Sequence, residues 1–188
     1  MIQHPWHEVN IGKMPPTIVN AIIEIPKGSR AKYEIDKASG LIKLDRVLRG
    51  SMMYPLHYGI IPQTLFDDGD PLDIMVLMQV TVVPLTLVSC RVIGVMRMID
   101  QGVEDDKIIA VAEGDPSVAD IKNISDLSES FKLELKDFFE NYTVLEGKKV
   151  QITGFLDLQK AAQTIEYSAK LYQQKFKPLV NGEADKIG

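Results

Sequence analysis

The chain is poor in cysteine, in basic charge and in long apolar runs. A single cysteine, Cys90, stands among 188 residues, so no internal disulfide forms and a disulfide-stapled fold is excluded. Cys90 lies in a strand-like stretch and reads as a small buried hydrophobe. Lysine and arginine number 21 against 26 aspartates and glutamates, a net charge of −5, which leaves no basic footprint for nucleic acid. No apolar run reaches the roughly 20 residues that a membrane helix needs. Neither a basic-then-apolar leader pattern nor an internal repeat nor a second-domain linker is visible. The expectation is one domain over 1–188 in a reducing, cytoplasmic setting, with no nucleic-acid or membrane partner.

What is present begins with an arm, residues 1–16, made irregular by Pro5, Pro15 and Pro16. His4 and His7 lie three apart in it, without a third ligand spaced nearby, and read as surface histidines. Strand patterns follow over Thr17–Ile25, Ala31–Ile35 and Leu41–Val47, the last two close enough to form a hairpin. Residues 51–62 mix methionine, tyrosine and proline and read as an irregular segment that either lines a pocket or covers the core. Further strands are expected over Ile74–Val83, Leu87–Ile99, Lys107–Ala112 and Val150–Phe155. Spacings of three and four mark two amphipathic helices. One carries Leu127, Phe131, Leu135, Phe138 and Tyr142, with Ser125 or Asp126 as N-cap. The other carries Leu158, Ala162, Ile165, Ala169 and Tyr172. From Lys177 onward, residues 177–188 read as a flexible tail. Strands dominate without βαβ alternation, so the expected fold is mainly β with flanking helices. Its form is a barrel closed by short antiparallel strands, with two α-helices packed outside.

The chemistry concentrates in two acidic turns. Residues 67–73 read Asp-Asp-Gly-Asp-Pro-Leu-Asp, four carboxylates crowded at the mouth of an apolar strand, a cluster comfortable only with protons or cations. Residues 100–107 contain Asp100, Glu104, Asp105, Asp106 and Lys107, again between apolar strands. Strand ends on one rim of a small barrel come together, and oxygen-only ligands suit a hard cation such as Mg²⁺. A calcium loop fits poorly, because the sixth position is Asp73 rather than glycine and the twelfth is Gln79. Lys32, Arg46, Tyr58, Lys107 and Tyr142, drawn from separate elements, would complete a site for a polyanion: metal-assisted phosphoryl transfer to water.

These residues carry a resemblance. Asp68-Gly69-Asp70-Pro71-Leu72-Asp73 resembles the D-[GN]-D-P-x-D signature of the family I soluble inorganic pyrophosphatases. Ile23 to Pro26, Lys32-Tyr33-Glu34, Asp45-Arg46, Tyr54-Pro55, Tyr58-Gly59, Asp100 to Lys107 and Phe138 to Tyr142 agree in order and spacing. The resemblance covers about Thr17 to Tyr172. It implies an OB-like barrel that hydrolyses pyrophosphate to two phosphates, with several Mg²⁺ ions for which Mn²⁺ or Co²⁺ substitute. It further implies Asp68, Asp73, Asp105, Asp100 and Glu24 at the metals, and Asp70 as proton acceptor of the attacking water. Lys32, Arg46, Tyr58, Lys107 and Tyr142 are implied as phosphate contacts, and a homo-oligomer, with a hexamer favoured, as the assembly. Thr143 stands where the family has lysine and removes one phosphate contact, for which Lys148 or Lys149 would substitute. Gln101 replaces a glutamate, and His57 replaces an asparagine and would add a pH-sensitive group at the rim. Two other function classes stay open on the residues: a non-catalytic barrel that binds phosphate or cations, and a hydrolase for nucleotides or organic diphosphates.

Overall fold

Nine strands and three helices make up the computed structural model, which describes residues 4–176. In chain order they are α1 (Pro5–Glu8), β1 (Ile18–Ile25), β2 (Ala31–Ile35), β3 (Ile42–Val47), β4 (His57–Ile60), β5 (Asp73–Leu77), β6 (Leu87–Asp100), β7 (Val103–Glu104), β8 (Lys107–Ala112), α2 (Glu129–Asn141), β9 (Val150–Leu156) and α3 (Leu158–Phe176). The expected tail, 177–188, lies outside the described residues.

Neighbours run β1–β4–β5–β8–β6, and β6 pairs back onto β1, so five strands close into a ring. Closure removes the free edges that an open sheet must protect. β6 is long enough at 14 residues to serve four partners: β1 near its start, β8 along its middle, and β9 and the short β7 near its end. β2 and β3 form a separate hairpin. The fold is thus mainly β, OB-like, with α2 and α3 packed on the sheet. Successive residues of β5 and β8 alternate between two cores. Met75, Leu77, Ile109 and Val111 pack with Leu135, Phe138 and Phe139 of α2. Ile74, Val76, Ile108 and Ala110 pack with Ala161 and Ile165 of α3.

One pair departs from the antiparallel expectation. β5 and β8 run parallel, with Asp73 beside Lys107 and Leu77 beside Val111. Their residues are buried on both faces, which is how parallel strands read in sequence: a continuous apolar run in place of alternation. The consequence for function is direct. Both acidic turns feed the starts of neighbouring parallel strands, so both lie on one rim of the barrel.

Other boundaries shift for identifiable reasons. The strand expected to reach Val83 ends at Leu77, where the Gln79 amide is bonded instead to the Asp115 carboxylate at 2.6 Å. The segment 51–62 contains β4, a strand whose Gly59 lies so close to β1 that a Cβ there would meet the Ile22 carbonyl oxygen at 2.0 Å. Proline and tyrosine masked its strand character. Ser128 caps α2 by accepting from the Phe131 amide at 3.2 Å; Asp126 caps the short turn before it, accepting from Lys122 and Asn123. The arm is not a surface strand of coil: it forms α1 and buries Trp6. Cys90 is buried as expected.

Candidate active site

At the rim where β5 and β8 begin, a cavity of about 590 Å³ opens. All eleven residues expected at the site line it: Glu24, Lys32, Arg46, Tyr58, Asp68, Asp70, Asp73, Asp100, Asp105, Lys107 and Tyr142. Local backbone irregularities deliver several of them. Glu24 is the extra residue of a bulge in β1, between the Ile23–Gly59 and Ile25–Tyr58 pairs. A bulge re-aims a side chain, and here it takes a carboxylate out of an otherwise apolar strand. In the β2–β3 hairpin Lys32 pairs with Arg46 and Tyr33 with Leu44, leaving Asp45 as the extra residue. Two cations therefore stand opposite each other. Asp45 relieves their repulsion, bonding Lys32 Nζ at 3.2 Å and Arg46 Nη1 at 2.5 Å. Glu146 holds the other edge of the guanidinium, 2.9 Å from Arg46 Nε.

The first acidic turn is fixed by its own backbone. Gly69 has φ of +86°, a left-handed conformation that side chains resist. The Asp70 amide donates to Asp68 Oδ1 at 2.9 Å, and the Phe66 amide to the Asp70 carbonyl at 2.7 Å. Asp70 is ion-paired with Lys37. Asp67 is exposed and accepts from the Tyr167 hydroxyl at 2.7 Å. It takes no part in the cavity lining.

Lys107 is the electrostatic centre. Its side chain is 2% exposed, and its ammonium lies 2.5 Å from Asp73 Oδ2 and bonds Asp105 Oδ1 as well. Burial opposes its charge, but Asp73 and Asp105 together outweigh burial and raise its pKa above the ordinary lysine value. Burial pushes Asp105 upward too, with Lys107 pulling the other way. Glu24, 6% exposed, is pushed up to about 8 by burial, against the pull of the Ile35 amide that donates to it at 2.6 Å. Burial likewise lifts the Tyr142 phenol to about 12, so it remains an O–H donor.

Three sequence expectations need correction or completion. His57 is not a rim group: it lies fully buried within β4, and burial lowers its pKa, keeping it neutral. Thr143 does line the cavity, buried to 1% exposure, and its hydroxyl has no hydrogen-bond partner among the described residues. Lys148, and not Lys149, lines the same cavity. Asp106 turns away, paired with Arg97 at 3.2 Å. Sequence reasoning missed Trp6 and Lys37 as lining residues, and Asp45 and Glu146 as the carboxylates that orient Arg46.

The donor set can be tested for fit to a hard cation. Its ligands are all oxygen, and Asp100 Oδ1 is buried without a hydrogen-bond partner among the described residues. Glu24 is held toward its neutral form, a cost that a bound cation would remove. Among the described residues no three metal-ligating side chains converge on one point, and the ammonium of Lys107 lies between Asp73 and Asp105. The set fits cations that arrive with an anionic ligand and share its oxygens.

The chain is similar to known proteins over most of its length. A family model described as inorganic pyrophosphatase matches residues 21–173. The chain is 50% identical over 171 residues to a soluble inorganic pyrophosphatase of Zea mays, covering 91% of this chain and 80% of that protein. It is 48% identical over 171 residues to soluble inorganic pyrophosphatase 3 of Arabidopsis thaliana, covering 91% and 79%. Among solved structures, an inorganic pyrophosphatase from Thermus thermophilus superposes with a TM-score of 0.87 at 39% identity, covering 91% of this chain and 99% of that one. One from Helicobacter pylori gives 0.84 at 38% identity, covering 88% and 99%.

Proposed function

Because the chain belongs to the inorganic pyrophosphatase family, its reaction is the hydrolysis of pyrophosphate to two phosphates, and we propose that it proceeds at the barrel rim, with Mg²⁺, by direct attack of water on phosphorus. One observation carries the reading: five aspartates from two acidic turns share a single cavity with Lys32, Arg46, Lys107, Tyr58 and Tyr142. Asp68, Asp73, Asp105, Asp100 and Glu24 would hold the ions. When bound, such ions neutralise a polyanionic substrate and lower the pKa of a water.

The chain's own residues supply the rest. Arg46, held at both edges by Asp45 and Glu146, presents a fixed guanidinium to a phosphate group. Orientation set in advance lowers the entropy lost on binding. Tyr142 keeps its proton and donates it as a hydrogen bond. Lys107 lends charge while remaining anchored to its two carboxylates. Asp70 accepts the proton of the attacking water as the new P–O bond forms and the bridging P–O bond breaks, the electron pair leaving with the second phosphate. It is suited to this because its ionic partner among the described residues is the exposed Lys37 side chain, whereas Asp73 and Asp105 are bound to a buried ammonium.

The test is phosphate release from pyrophosphate with Mg²⁺, with and without chelator. Release that stops with chelator and returns with added Mg²⁺ is expected; release indifferent to chelator would reject the metal-dependent mechanism. Offering ATP in place of pyrophosphate separates this reading from a nucleotide hydrolase. Lys148 is proposed to supply the cation that Thr143 does not. Lys148→Met is expected to raise KM for pyrophosphate about threefold to fivefold, the range for an exposed charge contact. A KM equal to that of the unaltered chain would remove Lys148 from the binding set. The reading carries a cytoplasmic homo-oligomer with it, for which exposed Val80, Val83 and Leu87 supply apolar surface.

A further inference from the structure

Helix α1 has no part in the chemistry above, yet it is tied to both sides of the cavity. On one side His4 Nε2 donates to the Lys37 carbonyl at 3.1 Å. Lys37 belongs to a tight turn in which the Gly40 amide bonds the Asp36 carbonyl at 2.8 Å. Gly40 packs so closely on the arm that a Cβ there would come within 2.9 Å of Pro5 Cδ. On the other side Trp6 Nε1 donates to the Thr64 carbonyl at 2.8 Å, and the Gln63 amide donates to the Trp6 carbonyl at 2.9 Å. Thr64 opens the segment that carries the first acidic turn and clips it shut: its hydroxyl accepts from the Leu72 amide at 2.9 Å. A third anchor fixes the helix itself, with His7 Nδ1 2.8 Å from the Tyr172 hydroxyl and the Trp6 ring 5.3 Å from that of Phe176.

The two sides meet again across the cavity in the Lys37–Asp70 ion pair. Those side chains are 57% and 48% exposed. A pair so exposed contributes little by itself, because a long side chain must be held in one place against its own entropy. Fixing the backbone of both partners from behind reduces that entropic loss, and the arm makes that fixation. Trp6, Lys37 and Asp70 all line the cavity.

We propose that residues 4–8 are a strut of the active site, holding the Lys37 turn and the Asp70 turn at the separation at which the Lys37 ammonium aims the Asp70 carboxylate. His4, Trp6 and Lys37 are positioning residues. The inference rests on the reading of Asp70 as the group that takes the proton from water.

Two measurements test it. In turnover of pyrophosphate with Mg²⁺, His4→Ala and Lys37→Met are each expected to lower kcat roughly tenfold, because small misplacements of a catalytic group are costly. The double variant is expected to be no slower than the slower single one, since both changes break the same linkage. His4→Gln, which keeps a donor for the Lys37 carbonyl, is expected to recover most of the loss. Independently, amide hydrogen exchange of His4→Ala is expected to rise together at Gly40 and Phe66, one amide on each side of the cavity. Unchanged kcat in His4→Ala, losses that multiply in the double variant, or faster exchange confined to residues 4–8 would each overturn the strut. The exchange experiment needs no turnover, so it decides the strut even where the assigned reaction fails, and that failure shows separately as absent phosphate release by the unaltered chain.

Discussion

Asp70→Asn is expected to lower kcat by at least two orders of magnitude, roughly the range for a lost general base, with fold and cation binding retained. Three features lead there. Asparagine is nearly isosteric with aspartate, and the backbone bonds that shape the turn use main-chain atoms of Asp70: its amide to Asp68 and its carbonyl to the Phe66 amide. The turn therefore keeps its form. The proposed ligands Asp68 and Asp73 are untouched. What disappears is the one function that an amide cannot perform, accepting a proton from water. Steady-state kinetics with pyrophosphate, beside circular dichroism and Mg²⁺ titration, checks all three parts. Turnover within a few-fold of the unaltered chain would reject Asp70 as the proton acceptor and move the search to another carboxylate of the cavity.

Lys107→Met is expected to produce the largest loss of stability of any single change at the site. Methionine matches the apolar stem of lysine but leaves Asp73 and Asp105 facing each other with no ammonium between them. Breaking a buried ion pair by removing one partner costs roughly 3–5 kcal/mol, because the remaining charge is buried without compensation. For a chain of this size each kcal/mol is worth about 2–4 °C in Tm, so a fall of about 10 °C is expected in metal-free buffer. Mg²⁺ is then expected to raise the Tm of the variant more than that of the unaltered chain, since a cation between the two carboxylates restores what the ammonium supplied. Calorimetry with and without Mg²⁺ measures both. An unchanged Tm would show that the two carboxylates relax or take up protons at little cost, and that Lys107 does not hold the rim together.

The carboxylates were legible in sequence for a chemical reason. Four of them in seven residues, fixed by Gly69 and Pro71 ahead of an apolar strand, have few uses besides holding cations. The two long helices were legible through spacing, because α2 and α3 each bury one stripe against the sheet. The hairpin of Lys32 and Arg46 was legible through its short link. What escaped depends on pairings between distant segments. Nothing local distinguishes β5 as a parallel partner of β8 except its unbroken apolar run, which an antiparallel strand buried on both faces would share. Glu24 announced itself only as a carboxylate in the wrong place; the bulge that aims it exists only once β4 is alongside. Lys37 lies in an ordinary polar turn, and its place beside Asp70 follows from a meeting of segments 33 residues apart. Trp6 reads as coil in the sequence because a four-residue helix has no periodicity to detect.

His7 and Tyr172 bond across 165 residues of chain, and that separation has a meaning in the order of synthesis. A ribosome adds about 5–20 residues per second. The arm therefore emerges on the order of ten seconds or more before the helix it rests on. The barrel strands can pair in that interval, but the ring of Trp6 has neither Tyr172 nor Phe176 to pack against until the last helix is made. On the ribosome the arm can reach Lys37 and Thr64 early, but the Trp6 side of the cavity wall stays without its backing until α3 emerges.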